Sequence, residues 1–112
     1  MGNKDMQFED LMRFIKKEDK RLRRYYGNYK DEEKRILART VKLSEELGEL
    51  CDAVLRHNAM QRKGKMKKSG DNLSEEFADV LITTLLLAEA MDIDIDRALI
   101  KKMKKIDKRY GK

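Results

Sequence analysis

The sequence predicts an all-α fold, in which a four-helix bundle-like protomer has an extensive helical oligomer interface. The 112 residues include no Pro and only six Gly, and the commonest residue types are strong helix formers. Apolar residues recur with the three-four spacing of amphipathic helices. Charged residues make up 43% of the chain, so we expect part of its apolar surface to be shared with a partner chain. We therefore expect residues 1–112 to form one small helical domain that self-associates.

The first predicted helix runs from about Lys4 to Arg24. Its apolar stripe consists of Phe8, Leu11, Met12, Ile15 and Leu22. Gly27 and Asn28 then interrupt the pattern in a way that is typical of a turn.

The second predicted helix begins after Asp31, a suitable N-cap, and continues to about Met60. One apolar face consists of Ile36, Leu43, Leu47, Leu50 and Val54. An adjoining face consists of Leu37, Val41, Ser44, Gly48, Cys51 and Leu55. A helix that is apolar over so wide an arc contacts more than one neighbour. Gly48 costs about 1 kcal/mol relative to Ala inside a helix, which indicates a close helix-helix approach there. Cys51 is expected to be a small core residue.

The sequence of the remaining chain predicts a basic loop followed by two further helices. Gly64, Ser69 and Gly70 lie among lysines, which predicts a loop from Asn58 to Gly70. The third helix is expected after an N-cap at Asp71 and extends to about Met91. Its core stripe is Leu73, Phe77, Leu81, Thr84, Ala88 and Met91. The fourth helix follows an N-cap at Asp94 and runs from about Ile95 to Tyr110. Its core stripe is Ile95, Leu99, Met103, Ile106 and Tyr110.

The net charge of +6 indicates a polyanionic partner, either nucleic acid or the phosphates of a small molecule. A cationic stripe on the fourth helix consists of Lys102, Lys105 and Arg109. The single Cys excludes an internal disulfide and fits a reducing compartment. No signal peptide is recognisable, and the apolar run from Val80 to Ala88 is too short to span a bilayer. We therefore expect a cytoplasmic protein with no membrane partner.

Two acidic motifs carry the chemistry. Glu46 and Glu49 are three residues apart, as are Glu76 and Asp79, so each pair lies on one helix face. If the two helices pack face to face, four carboxylates converge, and their mutual repulsion opposes folding unless a cation lies among them. An all-oxygen cage suits Mg²⁺, with Mn²⁺ as a possible substitute. No His follows either motif, which argues against a di-iron bundle.

With these motifs, the sequence resembles the all-α, MazG-like nucleoside triphosphate pyrophosphohydrolases. The resemblance covers roughly Ile36 to Tyr110 and is most specific at the acids of the segments 42–50 and 75–81. It implies a helical bundle that forms dimers or tetramers. It also implies hydrolysis of a nucleoside triphosphate between the α- and β-phosphorus, giving the monophosphate and pyrophosphate. The implied metal ligands are Glu46, Glu49, Glu76 and Asp79, and the implied phosphate contacts are Lys102, Lys105 and Arg109.

Water attack on a phosphoanhydride needs charge neutralisation, in-line placement and a base. We expect Glu45, or one of the metal ligands such as Glu46, to orient the attacking water, and the residues do not decide between them. One departure from the family is that Ile106 and Asp107 occupy the region where its last helix often has Asn. The contacts of this helix with sugar or phosphate therefore stay open.

Three alternatives remain at the level of sequence, and one of them is a degenerate family member that binds nucleotide without turnover. Phosphoribosyl-ATP pyrophosphohydrolases have the same acid pattern, but they usually carry Tyr-His after the second motif, where this chain has Leu81-Ile82-Thr83. We rank that activity lower. The third alternative is a helical nucleic-acid-binding or regulatory module whose basic stretches contact phosphates. Nucleic acid is nevertheless an unlikely partner, because two acid pairs flanked by apolar residues favour an enzyme.

Overall fold

The computed structural model describes residues 5–26, 31–62 and 70–111. Four helices account for most of them: α1 (Phe8–Tyr25), α2 (Glu32–Arg62), α3 (Gly70–Ala90) and α4 (Ile95–Arg109). These three stretches contain no strand, so the all-α prediction is confirmed. Among the described helices, none has the length and apolar character needed to cross a lipid bilayer.

The helix ends follow local capping, and two predicted starts need correction. Helix α1 begins at Phe8, because the backbone N–H of Gln7 donates to Asp10 Oδ2 at 3.0 Å and fixes the first turn there. Residues 5–7 of the predicted helix are therefore not helical, and its predicted start at Lys4 lies outside the described residues. Helix α3 already includes Gly70, so Asp71 lies within its first turn and is not its N-cap. Asp94 caps α4 as expected by accepting the backbone N–H of Arg97 at 3.2 Å.

The start of α2 agrees with prediction, and its end does not. Asp31 Oδ1 accepts the backbone N–H of Lys34 at 3.1 Å, as expected of an N-cap. The helix continues to Arg62, so residues 58–62 of the predicted loop are helical. Residues 63–69, the rest of that loop, lie outside the described part of the chain.

Helices α1, α2 and α3 pack together, with α2 and α3 as the most extensive pair. The buried apolar residues are Ile15, Ala53, Leu85, Ala88 and Ala90. A buried ion pair joins the three helices, since Arg39 of α2 donates to Asp19 Oδ1 of α1 at 2.7 Å and to the Leu86 carbonyl oxygen of α3 at 2.7 Å. Asp19 therefore lies on the face of α1 for which the sequence predicted only apolar residues.

Much of the predicted core is exposed in the protomer. Leu81 on α3 is 62% exposed, and Leu37, Val41 and Leu55 on the second face of α2 are each about as open. Cys51, expected in the core, is exposed as well. A Cβ added at Gly48 meets no atom within 4 Å, so the expected close approach at Gly48 does not occur within one chain. On α2 the exposed residues of this second face form one continuous surface with no partner among the described residues. We call it the α2 stripe, and it consists of Leu37, Val41, Ser44, Gly48, Cys51 and Leu55.

Helix α4 stands apart from the other three. It packs extensively on none of them, and none of its residues is buried. The Cα radius of gyration is 17.3 Å, whereas a compact chain of this length has about 13 Å. Of its predicted core stripe, Ile95 is half-buried and the other four residues are exposed, with Met103 at 56% and Tyr110 at 75%.

Candidate metal centre

Three of the four predicted acidic ligands converge where α2 packs against α3. One carboxylate oxygen from each of Glu46, Glu49 and Glu76 lies within 4.8 Å of the other two. We call this group the acid cluster. The i, i+3 spacing places Glu46 and Glu49 on the face of α2 that meets α3, as expected from the sequence.

Burial makes the acid cluster different from ordinary surface carboxylates. Glu46 is 8% exposed, Glu76 is half-buried and Glu49 is exposed. One oxygen of Glu46 and one of Glu76 are buried with no hydrogen-bond partner among the described residues. A buried carboxylate oxygen without a partner is costly, so the site is well suited to a bound cation.

The pKa of Glu76 also shows the effect of burial and of neighbouring carboxylates. Desolvation by burial raises the pKa of Glu76 above its ordinary value, and the neighbouring charges of Glu49, Asp79, Glu46 and Glu75 raise it further. A cation bound here would favour the charged carboxylate and so oppose this rise in pKa.

Asp79 lies at the margin of the acid cluster. It is exposed and its carboxylate is outside the three-residue group. Its charge nevertheless contributes to the raised pKa of Glu76, three residues earlier on the same helix. Asp79 therefore stays a predicted ligand whose carboxylate lies close enough to influence Glu76 but outside the group of three.

Lys42 is the residue beside the cluster that sequence reasoning did not single out. Its ammonium lies 3.4 Å from Glu46 Oε2 and 3.6 Å from Glu45 Oε1. Hydrogen bonding and attraction to Glu46, with smaller contributions from Glu45, raise the pKa of Lys42. Its position one helical turn before Glu46 was the available signal. Glu45 itself is exposed and is not one of the three residues of the acid cluster.

The predicted phosphate-binding residues are not gathered at the cluster within one protomer. Lys102, Lys105 and Arg109 are all exposed on α4, which packs extensively on neither α2 nor α3. Ala98, Lys101, Lys102 and Lys105 instead line a shallow depression of about 180 Å³ on α4 itself.

The donor set of the cluster fits a hard divalent cation. All three ligand groups offer carboxylate oxygens, and two of these oxygens have no other partner among the described residues. Mg²⁺ prefers oxygen ligands and retains several waters or phosphate oxygens, so three carboxylates leave room in its octahedron for a substrate.

Comparison with known proteins gives the same family that the motifs resemble. Residues 34–112 match the family model described as the MazG nucleotide pyrophosphohydrolase domain. The chain is also 34% identical over 86 residues to the uncharacterized protein YpjD of Bacillus subtilis (strain 168), covering 77% of each chain. No solved structure matches it significantly. The match spans helices α2 to α4 and therefore both acidic motifs, so this chain belongs to the MazG nucleotide pyrophosphohydrolase domain family.

Proposed function

We propose that this protein is a Mg²⁺-dependent hydrolase that converts a nucleoside triphosphate to the monophosphate and pyrophosphate, in the cleansing of the nucleotide pool. The observation that carries the proposal is the acid cluster, with its two unpartnered buried oxygens, inside a domain of the nucleotide pyrophosphohydrolase family. Like-charged groups this close repel one another, and a bound cation relieves that repulsion.

Glu46, Glu49 and Glu76 hold the ion in this proposal, and Asp79 supplies the fourth carboxylate. When bound, Mg²⁺ or Mn²⁺ neutralises phosphate charge and orients the scissile phosphoanhydride. Glu45 extends from the same turn of α2 as Glu46 and is free of the cluster, so it can accept a proton from the attacking water. Lys42 supplies a cation beside the cluster, where charge builds up on phosphate oxygens.

The proposed enzyme works as a homodimer or homotetramer. The α2 stripe and the apolar side of α4 are both unpartnered in the described chain, and exposed apolar surface on this scale is characteristic of an interface. A second copy satisfies both faces at once, because the same apolar chemistry occurs on each. It also offers a route by which Lys102, Lys105 and Arg109 of one chain reach phosphates held by another.

The decisive experiment is a screen of canonical and modified nucleoside triphosphates, together with phosphoribosyl-ATP, for pyrophosphate release with Mg²⁺. We expect at least one to be hydrolysed, and we expect Glu49→Gln and Asp79→Asn each to lower the rate by about 10²-fold or more. Glu33→Gln, on the same helix but in its first turn, is the matched control and keeps full activity.

Two results would overturn the proposal. One is retention of wild-type activity in both acid variants. The other is the absence of turnover combined with oligonucleotide binding that weakens steeply with salt and ignores both substitutions, since that behaviour belongs to a nucleic-acid-binding module.

A further inference from the structure

A pocket of about 340 Å³ lies between α1, α2 and α3, next to the acid cluster. Its lining residues are Glu18, Leu22, Tyr26, Arg39, Lys42, Thr83 and Leu86. Leu22, Tyr26 and Leu86 give it apolar walls, while Glu18 and Thr83 add polar groups. Arg39 is held in place by hydrogen bonds to Asp19 and to the Leu86 carbonyl oxygen.

The pocket and the acid cluster lie along the same faces of α2 and α3. On α2, Arg39, Lys42, Glu46 and Glu49 follow the three-four spacing of a single helix face. On α3, Glu76, Asp79, Thr83 and Leu86 do the same. The pocket uses the first two residues of the α2 series and the last two of the α3 series, whereas the cluster uses the opposite ends. The two helices are therefore antiparallel, and the two sites are about 10 Å apart along their axes.

Lys42 connects the two sites. Its side chain lines the pocket and its ammonium lies 3.4 Å from Glu46 Oε2 in the cluster. A group bound between the pocket and the cluster contacts this ammonium, and an anionic group there is stabilised by its charge.

We propose that this pocket binds the nucleoside part of the substrate, an inference that rests on the proposed function. A nucleotide has an aromatic base and sugar at one end and phosphates at the other. Along these helix faces the order matches: an apolar pocket with polar groups, then the Lys42 ammonium, then the acid cluster. The pocket is at the small end of the roughly 300–1,000 Å³ range of small-molecule sites, which suits a nucleoside without its phosphates. Glu18 accepts hydrogen bonds and the Thr83 hydroxyl both donates and accepts, so both can contact the polar edge of a base.

The test compares two ligands that differ only in the nucleoside. With Mg²⁺ present and turnover blocked by Glu45→Gln if needed, calorimetry measures the affinity of a hydrolysed nucleoside triphosphate and of inorganic tripolyphosphate. We expect the nucleotide to bind at least about tenfold more tightly. Leu22→Trp, which fills the pocket from α1, should remove that advantage and leave tripolyphosphate affinity within about twofold. Leu11→Trp changes a half-buried leucine of the same helix outside the pocket, and it should keep the advantage.

A second measurement needs no substitution. Titrating the isotope-labelled wild-type protein with nucleoside monophosphates should shift the amide resonances of Thr83 and Leu86. Equal affinities of nucleotide and tripolyphosphate, or monophosphate shifts that miss Thr83 and Leu86, would overturn the pocket assignment while leaving the hydrolase proposal intact. Failure of both ligands to bind with Mg²⁺ would overturn the hydrolase proposal and this inference together.

Discussion

Removing one carboxylate from the acid cluster should stabilise the metal-free protein. Glu49→Gln keeps the size of the side chain and removes its charge. One of its oxygens lies within 4.8 Å of Glu46, and at that upper limit the charge is repelled by about 0.9 kcal/mol in water and by about 3.5 kcal/mol at an effective dielectric constant of 20. Because Glu49 is exposed, the lower value applies, and Glu76 adds to the repulsion. We expect a gain of about 1 kcal/mol, which raises the melting temperature by roughly 4 °C.

Thermal denaturation followed by circular dichroism tests this prediction in two buffers. With a chelator, Glu49→Gln should melt above the wild type. With millimolar Mg²⁺, the wild type should gain stability because the ion binds only the folded state, and the variant should gain much less. Glu45→Gln is the matched control, since it removes a neighbouring carboxylate that attracts Lys42 at 3.6 Å and lies outside the cluster. It should not raise the melting temperature in chelator, and it should respond fully to Mg²⁺.

The reasoning is refuted if Glu49→Gln lowers the melting temperature in chelator by several degrees. That result would mean that the Glu49 carboxylate makes a favourable contact in the metal-free protein, so that the cluster is not a repulsive cage.

Three further predictions concern the ion pair, the pH response and the assembly. Asp19→Asn should cost about 3–5 kcal/mol in urea denaturation, because it removes the buried carboxylate that pairs with the Arg39 guanidinium. Asp52→Asn, which breaks an exposed pair of the same chemistry, should cost less than about 0.5 kcal/mol. The raised pKa of Glu76 means that the folded state binds this proton more tightly than the unfolded state. In chelator, its contribution to stability should therefore fall as the pH rises from the ordinary value of 4.5 through the raised pKa, and Glu76→Gln should flatten that part of the pH profile. Met103→Glu, which places a charge on the open side of α4, should shift the protein to a smaller species in light scattering coupled to size-exclusion chromatography, and an unchanged mass would exclude α4 from the interface.

Local features of the fold could be predicted from sequence, and burial could not. Asp31 and Asp94 were recognisable as N-caps because a cap depends only on the next few residues. The apolar stripes were also recognisable, but a stripe has the same spacing whether its own chain or a partner covers it. Leu81 and Cys51 were therefore assigned to a core from which they are absent in the protomer.

The candidate site likewise has residues that local spacing predicts and residues that only the packing of the helices brings together. Glu46, Glu49 and Glu76 were predictable because their spacing fixes a shared helix face and the motifs have a family counterpart. The Asp19–Arg39 pair was missed, since its members are distant in sequence and each resembles a solvated surface charge until the helices pack. The nucleoside pocket depends on three helices at once, and nothing in a one-dimensional pattern predicts such a volume.

The openness of Gly48 has a consequence for regulation. Gly48 lies between Glu46 and Glu49 on one turn of α2. The same turn therefore carries a residue of the exposed α2 stripe and two carboxylates of the acid cluster. A subunit that docks on Gly48 fixes the same turn that orients the two carboxylates, and linkage requires the effect to be reciprocal. Diluting the protein until its subunits separate should therefore weaken its affinity for the ion, and adding the ion should bring the subunits back together.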